Sequence, residues 1–189
     1  MSSEMIDLIL DDASERMEKA IAHTRQEFAS IRTGRAAPAL VERLPVEAYG
    51  EEMMLQQLAS FQVPEARQLL ITPFDKANLG AIEKAIQHSD LGLSPSNDGN
   101  SIRLTFPPLT EERRKDLVKV VRQMAEEGRI AIRNARRDAR KELESAEKGG
   151  DMSEDELMRA EKELDKRTHA FEAEITAALE QKETELLEV

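Results

Sequence analysis

Apolar residues recur at alternating spacings of four and three in two long stretches of the chain, and close to every seven in a third. Ile6, Leu10, Ala13, Met17, Ala20 and Thr24 form the first series, and Leu117, Val121, Met124, Gly128, Ala131 and Ala135 the second. The third runs through Leu157, Leu164, Phe171, Ala178 with Leu179, and Leu186. Such spacings put the apolar groups on one face of a helix and form a seam of coiled-coil type. Together they predict a three-helix bundle about 50 Å long or more, at ~1.5 Å of rise per residue. The first helix should end near Thr33-Gly34, where glycine can take the left-handed cap conformation. The second should open at Thr110, with Glu111 and Glu112 complementing its dipole, and close near Gly149-Gly150. Ser153-Glu-Asp-Glu156 fits a capping box that starts the third.

Between the first and second helices the pattern changes. Val46–Tyr49, Leu58–Val63 and Gln68–Thr72 read as short strands separated by glycine or proline. Asp75–His88 is helical in pattern, with Leu79, Ile82 and Ile86 on one face. Asn97-Asp-Gly99 marks a tight turn before a strand at Ile102–Phe106. All seven prolines fall between Pro38 and Pro108. Because proline costs about 3 kcal/mol inside a helix, that confinement separates helical from irregular chain. The expected fold class is α+β: a bundle of residues 1–31 and 108–189, with a small α/β domain, mixed sheet plus helix, inserted at 32–107. The chain crosses the boundary twice, at 32–35 and 105–108. Paired short crossings of that kind suit a hinge, for which Arg32, Gly34, Arg35, Thr105, Pro107 and Pro108 are the candidates.

Charge adds one feature that periodicity does not show. From Arg113 to Lys141 there are eleven Lys/Arg against four Asp/Glu, a local charge of +7 in a chain of net charge −11, so the remainder carries −18. Arg122, Arg129, Arg133, Arg136 and Arg140 share one stripe of the second helix, well round the cylinder from its apolar seam. Arginine forks onto phosphate in a way lysine cannot, so a stripe on an otherwise acidic protein suits RNA bound at one place. A solvated helix face is the plainer reading of any charge run. Glu126 lies within the stripe and supports that reading.

Other chemistry finds little footing. Cysteine is absent, which excludes disulfides and thiolate sites and fits a reducing cytoplasm. No apolar run reaches membrane-spanning length. The start of the chain lacks the basic character of a leader or transit peptide. His23, His88 and His169 are scattered, with no acid–nucleophile pair beside them. Gly149-Gly150 lacks the Lys-Ser/Thr of a phosphate loop. Asp151, Glu154, Asp155 and Glu156 lack the ligand alternation of a calcium site and suit helix capping better. No catalytic residue, cofactor or metal is expected. Two classes remain open: an RNA-binding factor, and a helical interaction or chaperone-type protein.

Six segments then fall into a known order. Ile31-Arg-Thr-Gly-Arg-Ala36, Gln57-Leu-Ala-Ser60, Ser89-Asp-Leu-Gly-Leu93, Asn97-Asp-Gly99, Pro107-Pro-Leu-Thr-Glu-Glu-Arg-Arg-Lys115 and Arg133-Asn-Ala-Arg-Arg-Asp-Ala139 together resemble bacterial ribosome recycling factors, nearly end to end. The resemblance implies an L-shaped, two-domain, non-catalytic cytoplasmic monomer. Proteins of this family bind the post-termination ribosome and, with elongation factor G and GTP, split it into subunits. It also implies that the arginines of the Arg133-Asn-Ala-Arg-Arg-Asp motif contact large-subunit rRNA, Arg133 and Arg136 above all, with Arg137 beside them and Arg129 next; on the stripe, Arg140 and Arg122 would extend that contact. Asp138 would orient its arginine neighbours. Arg113 and Arg114 would bind RNA or brace the interdomain junction, and Arg32, Gly34 and Arg35 match the hinge motif. Arg140 stands where a polar residue, often asparagine, is expected, and Ala37 replaces a common serine. The chain is also more acidic than the family pattern suggests.

Overall fold

The computed structural model describes residues 2–188. In chain order its principal elements are α1 (Ser2–Ser30), β1 (Pro45–Ala48), β2 (Glu51–Met54), a one-turn α2 (Leu55–Leu58), β3 (Ala59–Glu65) and β4 (Gln68–Pro73). They continue with α3 (Leu79–Gln87), β5 (Pro95–Asn97), β6 (Ile102–Thr105), α4 (Glu111–Lys148) and α5 (Glu154–Leu187). Two compact units result: α1 with Glu111–Glu188, and the insert Arg32–Thr110. The second boundary falls three residues later than expected, at the start of α4. No described helix is long and apolar enough to cross a membrane.

In the helical unit α1, α4 and α5 pack pairwise against one another. The buried line of α4 is Leu117, Val121, Ala125, Gly128, Ile132, Ala135, Ala139 and Leu143. Ala125 and Ile132 replace the expected Met124, which is half-buried, and Ala131, which is exposed. A helix that meets two neighbours buries a stripe centred between them, so a seam drawn for one partner lands off-centre. On α1 the buried set is Ile9, Leu10, Ala13, Met17, Ile21, Thr24 and Phe28, while Ile6 and Ala20 are half-buried. On α5, Leu164 and Leu186 are buried with Ala160, Thr168 and Ile175, whereas Leu157, Phe171, Ala178 and Leu179 are half-buried.

At Gly128 both neighbouring helices press on the backbone of α4. A Cβ there would collide with Thr24 Oγ1 of α1 and lie 2.9 Å from Ile175 Cδ1 of α5. The buried hydroxyls spend their hydrogen bonds locally: Thr24 donates to the Ala20 carbonyl at 3.0 Å, and Thr168 to the Leu164 carbonyl at 2.8 Å. The capping box at the start of α5 forms as expected. Ser153 Oγ accepts from the Glu156 amide at 3.2 Å, and the Glu156 carboxylate accepts from the Ser153 amide at 2.8 Å. Helix α1 stops at Ser30, short of Gly34, although Gly34 does hold a left-handed backbone with φ of 76°.

The insert contains a β1–β2 hairpin and a second sheet in the order β3-β4-β6-β5. Every described pairing is antiparallel. The short turns at 66–67 and 98–101 permit nothing else between the strands they join. Strands β2 and β5 were not anticipated, being short and largely exposed, with no apolar alternation to betray them. Pro64 is tolerated because β3 is an edge strand whose register shifts between Gln62 and Glu65. Leu55, Leu69, Ile71, Ile82, Ile86, Ile102 and Leu104 form a fully buried core under α3. Both ends of the insert tie to one turn. The Ala36 amide donates to the Ala66 carbonyl, and the Phe106 amide to the Arg67 carbonyl, each at 2.8 Å.

Candidate nucleic-acid interface

The arginine stripe follows from the burial of α4. Its members lie roughly a quarter turn from the buried line, on the side that meets α5. The expected stripe is therefore present but not remote from the packed seam. It runs along the α4–α5 border, where acidic side chains of α5 reach it.

Each position has its own partner. Arg122 Nε donates to Glu183 Oε1. Arg133 Nε donates to Glu172 Oε1 at 3.0 Å, and its Nη1 to Glu126 Oε1 at 3.2 Å. Arg136 Nε lies 2.8 Å from Asp165 Oδ1. Arg140 Nε is shared between Glu161 Oε1 at 3.0 Å and Glu144 Oε1 at 3.1 Å. Hydrogen bonding to Glu172, reinforced by its charge, holds Arg133 above the usual guanidinium range, and Glu183 does the same for Arg122. For Arg140 the charge of Glu161 is the largest cause. These arginines stay protonated at any accessible pH, so the pairing alters orientation and local field, not ionisation.

Exposure separates the candidates. The side chains of Arg133 and Arg140 are 50% and 52% exposed, and that of Arg129 only 21%. Arg129 also turns inward, with Nη2 on Thr176 Oγ1 at 3.1 Å and Nη1 3.6 Å from Glu126 Oε2. Arg133, Arg136, Arg137 and Arg140 together line one open surface groove. Arg137 is exposed on the outward face of α4. Asp138 lies on the opposite flank and pairs with Arg16 of α1 at 2.8 Å; that hydrogen bond above all holds its carboxyl below the usual aspartate range. Arg113 is exposed in the first turn of α4, and Arg114 is half-buried with its Nε lacking a hydrogen-bond partner.

Of the crossing residues, Arg32, Pro107 and Pro108 are exposed, and Gly34 and Arg35 half-buried; Thr105, expected at the hinge, instead ends β6 and pairs with Gln68, so the second crossing begins after it. Gly34 sits beside Leu109 and the Pro107 carbonyl, so the two crossings run side by side there. His88 and His169 place Nδ1 on the carbonyl four residues earlier, at 3.0 and 2.6 Å. His23 lies 3.6 Å from Glu27. The α5 acids were missed at the sequence level, although Glu161, Asp165, Glu172 and Glu183 are separated by four, seven and eleven residues, the spacing of one helix face.

Comparison with known proteins adds an independent line. The profile of the ribosome recycling factor family matches residues 24–187. The chain is 55% identical to the ribosome-recycling factor of Thermobifida fusca over 98% of this chain and all of that one. It is 50% identical to that of Bacillus subtilis over 96% of this chain and 98% of the relative. Among solved structures, a solution structure of ribosome recycling factor superposes with a TM-score of 0.75 at 41% identity, covering 97% and 98% of the two chains. The T. thermophilus ribosome recycling factor, described with E. coli elongation factor G bound to the E. coli post-termination complex, superposes with a TM-score of 0.65 at 47% identity, covering 96% and 98%.

Proposed function

The chain belongs to the ribosome recycling factor family, and on that premise we propose that α4 docks it onto large-subunit rRNA of the post-termination ribosome. Elongation factor G with GTP then acts through the insert to separate the subunits. The observation that carries the docking assignment is the groove lined by Arg133, Arg136, Arg137 and Arg140 on a chain of net charge −11. Guanidinium forks suit phosphate, and the acidic remainder opposes binding in any other orientation. Arg133 and Arg136 carry most of the contact. Arg140 and Arg137 extend it, Arg122 lies at its edge, and the inward-turned Arg129 contributes least. The chain catalyses no reaction in this scheme; the free energy comes from the GTP-hydrolysing partner and from differential binding to joined and separated subunits.

Neutralising about five phosphates should weaken docking on the order of 10³-fold between about 50 and 200 mM salt. The crossings at 32–35 and 107–110 let a partner move the insert while the bundle holds RNA. Ala36 and Phe106 are already tied into the insert, which confines the pivot to those few residues. Gly34 has a φ of 76° that proline, fixed near −65°, cannot adopt. Gly34→Pro should therefore impair splitting more than docking, and equal loss of both would contradict a hinge.

The deciding experiment is a sucrose-gradient splitting assay on post-termination ribosomes with elongation factor G and GTP. Wild type should release subunits and Arg133→Ala/Arg136→Ala should not. Equal splitting by both would remove the arginine assignment. No splitting by the wild type with a cognate partner would remove the mechanism.

A further inference from the structure

Four arginines of the stripe share one geometry. In Arg122, Arg133 and Arg140 it is Nε, the inner edge of the guanidinium, that donates to a carboxylate of α5, and in Arg136 the same nitrogen forms an ion pair with one. The acceptors Glu183, Glu172, Asp165 and Glu161 follow one face of that helix. Among the described residues, no hydrogen bond occupies the Nη atoms of Arg122, Arg136 or Arg140, and Arg133 uses only Nη1, toward Glu126. A guanidinium is a planar fork of five N–H donors. Tying off Nε fixes its plane and leaves the outer pair of nitrogens free for a second acceptor, the edge that meets a phosphate end-on. Arg129, held by its Nη atoms instead, lacks this arrangement.

We propose that Glu161, Asp165, Glu172 and Glu183 are positioning residues for RNA binding: they hold the guanidiniums by Nε with the Nη fork facing outward for phosphate. This rests on the recycling reading and deepens it. Exposed ion pairs add little to fold stability, so a seam-fastening role accounts poorly for four pairs of one geometry. Arginine loses considerable rotamer freedom when it binds, and a fork ordered beforehand lowers that cost.

The proposal has the opposite sign from simple electrostatics. Deleting acids beside a basic groove makes it more positive, and a mere charge screen would then bind RNA more tightly. Positioning requires weaker binding. The test measures affinity of the full-length protein for purified large ribosomal subunits across a salt series, with thermal melting in parallel. Glu161→Ala/Asp165→Ala/Glu172→Ala is expected to bind about tenfold more weakly, from lost preorganisation, with little change in melting. Glu161→Gln/Asp165→Asn/Glu172→Gln keeps an oxygen for each Nε–H and should bind at least as well as wild type. Equal or tighter binding by the alanine variant would overturn the proposal, as would an equal loss in the amide variant. If Arg133→Ala/Arg136→Ala, run alongside, binds like wild type, the docking assignment itself falls and the proposal with it.

Discussion

Both units bury large aliphatic side chains, Met17, Ile132, Leu143 and Leu164 among them in the bundle, and they differ in what they add. The insert buries large aliphatic side chains: Leu69, Ile71, Ile82, Ile86, Ile102 and Leu104 are all fully buried. The buried line of α4 includes the small residues Ala125, Gly128, Ala135 and Ala139, and at Gly128 the helix meets Thr24 of α1 and Ile175 of α5. Aliphatic cores tolerate volume-conserving exchange, whereas close backbone approach tolerates almost none. The bundle adds carboxylate–arginine pairs that cross from helix to helix, such as Arg16–Asp138, Arg167–Asp11 and Arg133–Glu172. Such pairs fix where charged groups point.

The strongest way to break this comparison is to cut into the insert. Ile71 lies on β4, between β3 and β6, and is fully buried. Ile71→Ala should cost about 2–5 kcal/mol, from lost transfer energy plus the cavity left behind. Hydrogen exchange should then rise across β4 and β6 while amides of α4 stay protected. If α4 loses protection equally, the two units fold as one and the contrast between them is false.

Gly128→Ala tests the bundle with a single methyl group. Alanine favours a helix by about 1 kcal/mol over glycine, so an exposed site would gain. Here the new carbon collides with Thr24 Oγ1 and crowds Ile175, and overpacking of about 1–3 kcal/mol should outweigh the gain. Chemical denaturation should show net destabilisation. Adding Thr24→Ala removes the colliding oxygen and should recover part of the loss. Strict additivity in that double-mutant cycle would mean that the two residues do not meet.

How far the sequence foretold this follows from what each signal depends on. Long helices declared themselves through period and proline exclusion, and the capping box at Ser153 through local chemistry. The seam was misplaced by one residue at Met124 and Ala131, because a single helix does not reveal how many neighbours it has. Strands β2 and β5 carry no apolar alternation, so their pairing is a tertiary fact. The arginine row was legible from α4 alone. Its acceptors were not, because pairing Glu172 with Arg133 requires the register between two helices. Gly128 was recognised as a seam position, but not as the point that only glycine fits.

The smallest expected effect separates two kinds of depressed carboxylate, one in each unit. Asp98 of the insert accepts hydrogen bonds from the Asn100 and Ser101 amides at 2.9 and 2.8 Å, and these backbone donors above all hold its carboxyl below the usual aspartate range. Asp138 of the bundle is lowered chiefly by its hydrogen bond to Arg16, with help from the charges of Lys141 and Arg137. Both carboxyls are depressed in the folded protein. Each therefore stabilises it fully above the unfolded aspartate value of about 3.9, and that stabilisation is lost as pH falls through the lower folded value. Salt should tell them apart. At about 1 M ionic strength the screening length is roughly 3 Å, so Asp138, exposed and paired across helices, should titrate nearer the ordinary value. Asp98 is held by short local bonds to backbone amides and should move far less. Carboxyl-resolved NMR titrations at low and high salt would follow both. An equal salt shift at the two sites would mean that the turn, like the bundle flank, is governed by side-chain charge, and the division between backbone bonding and side-chain pairing would not hold.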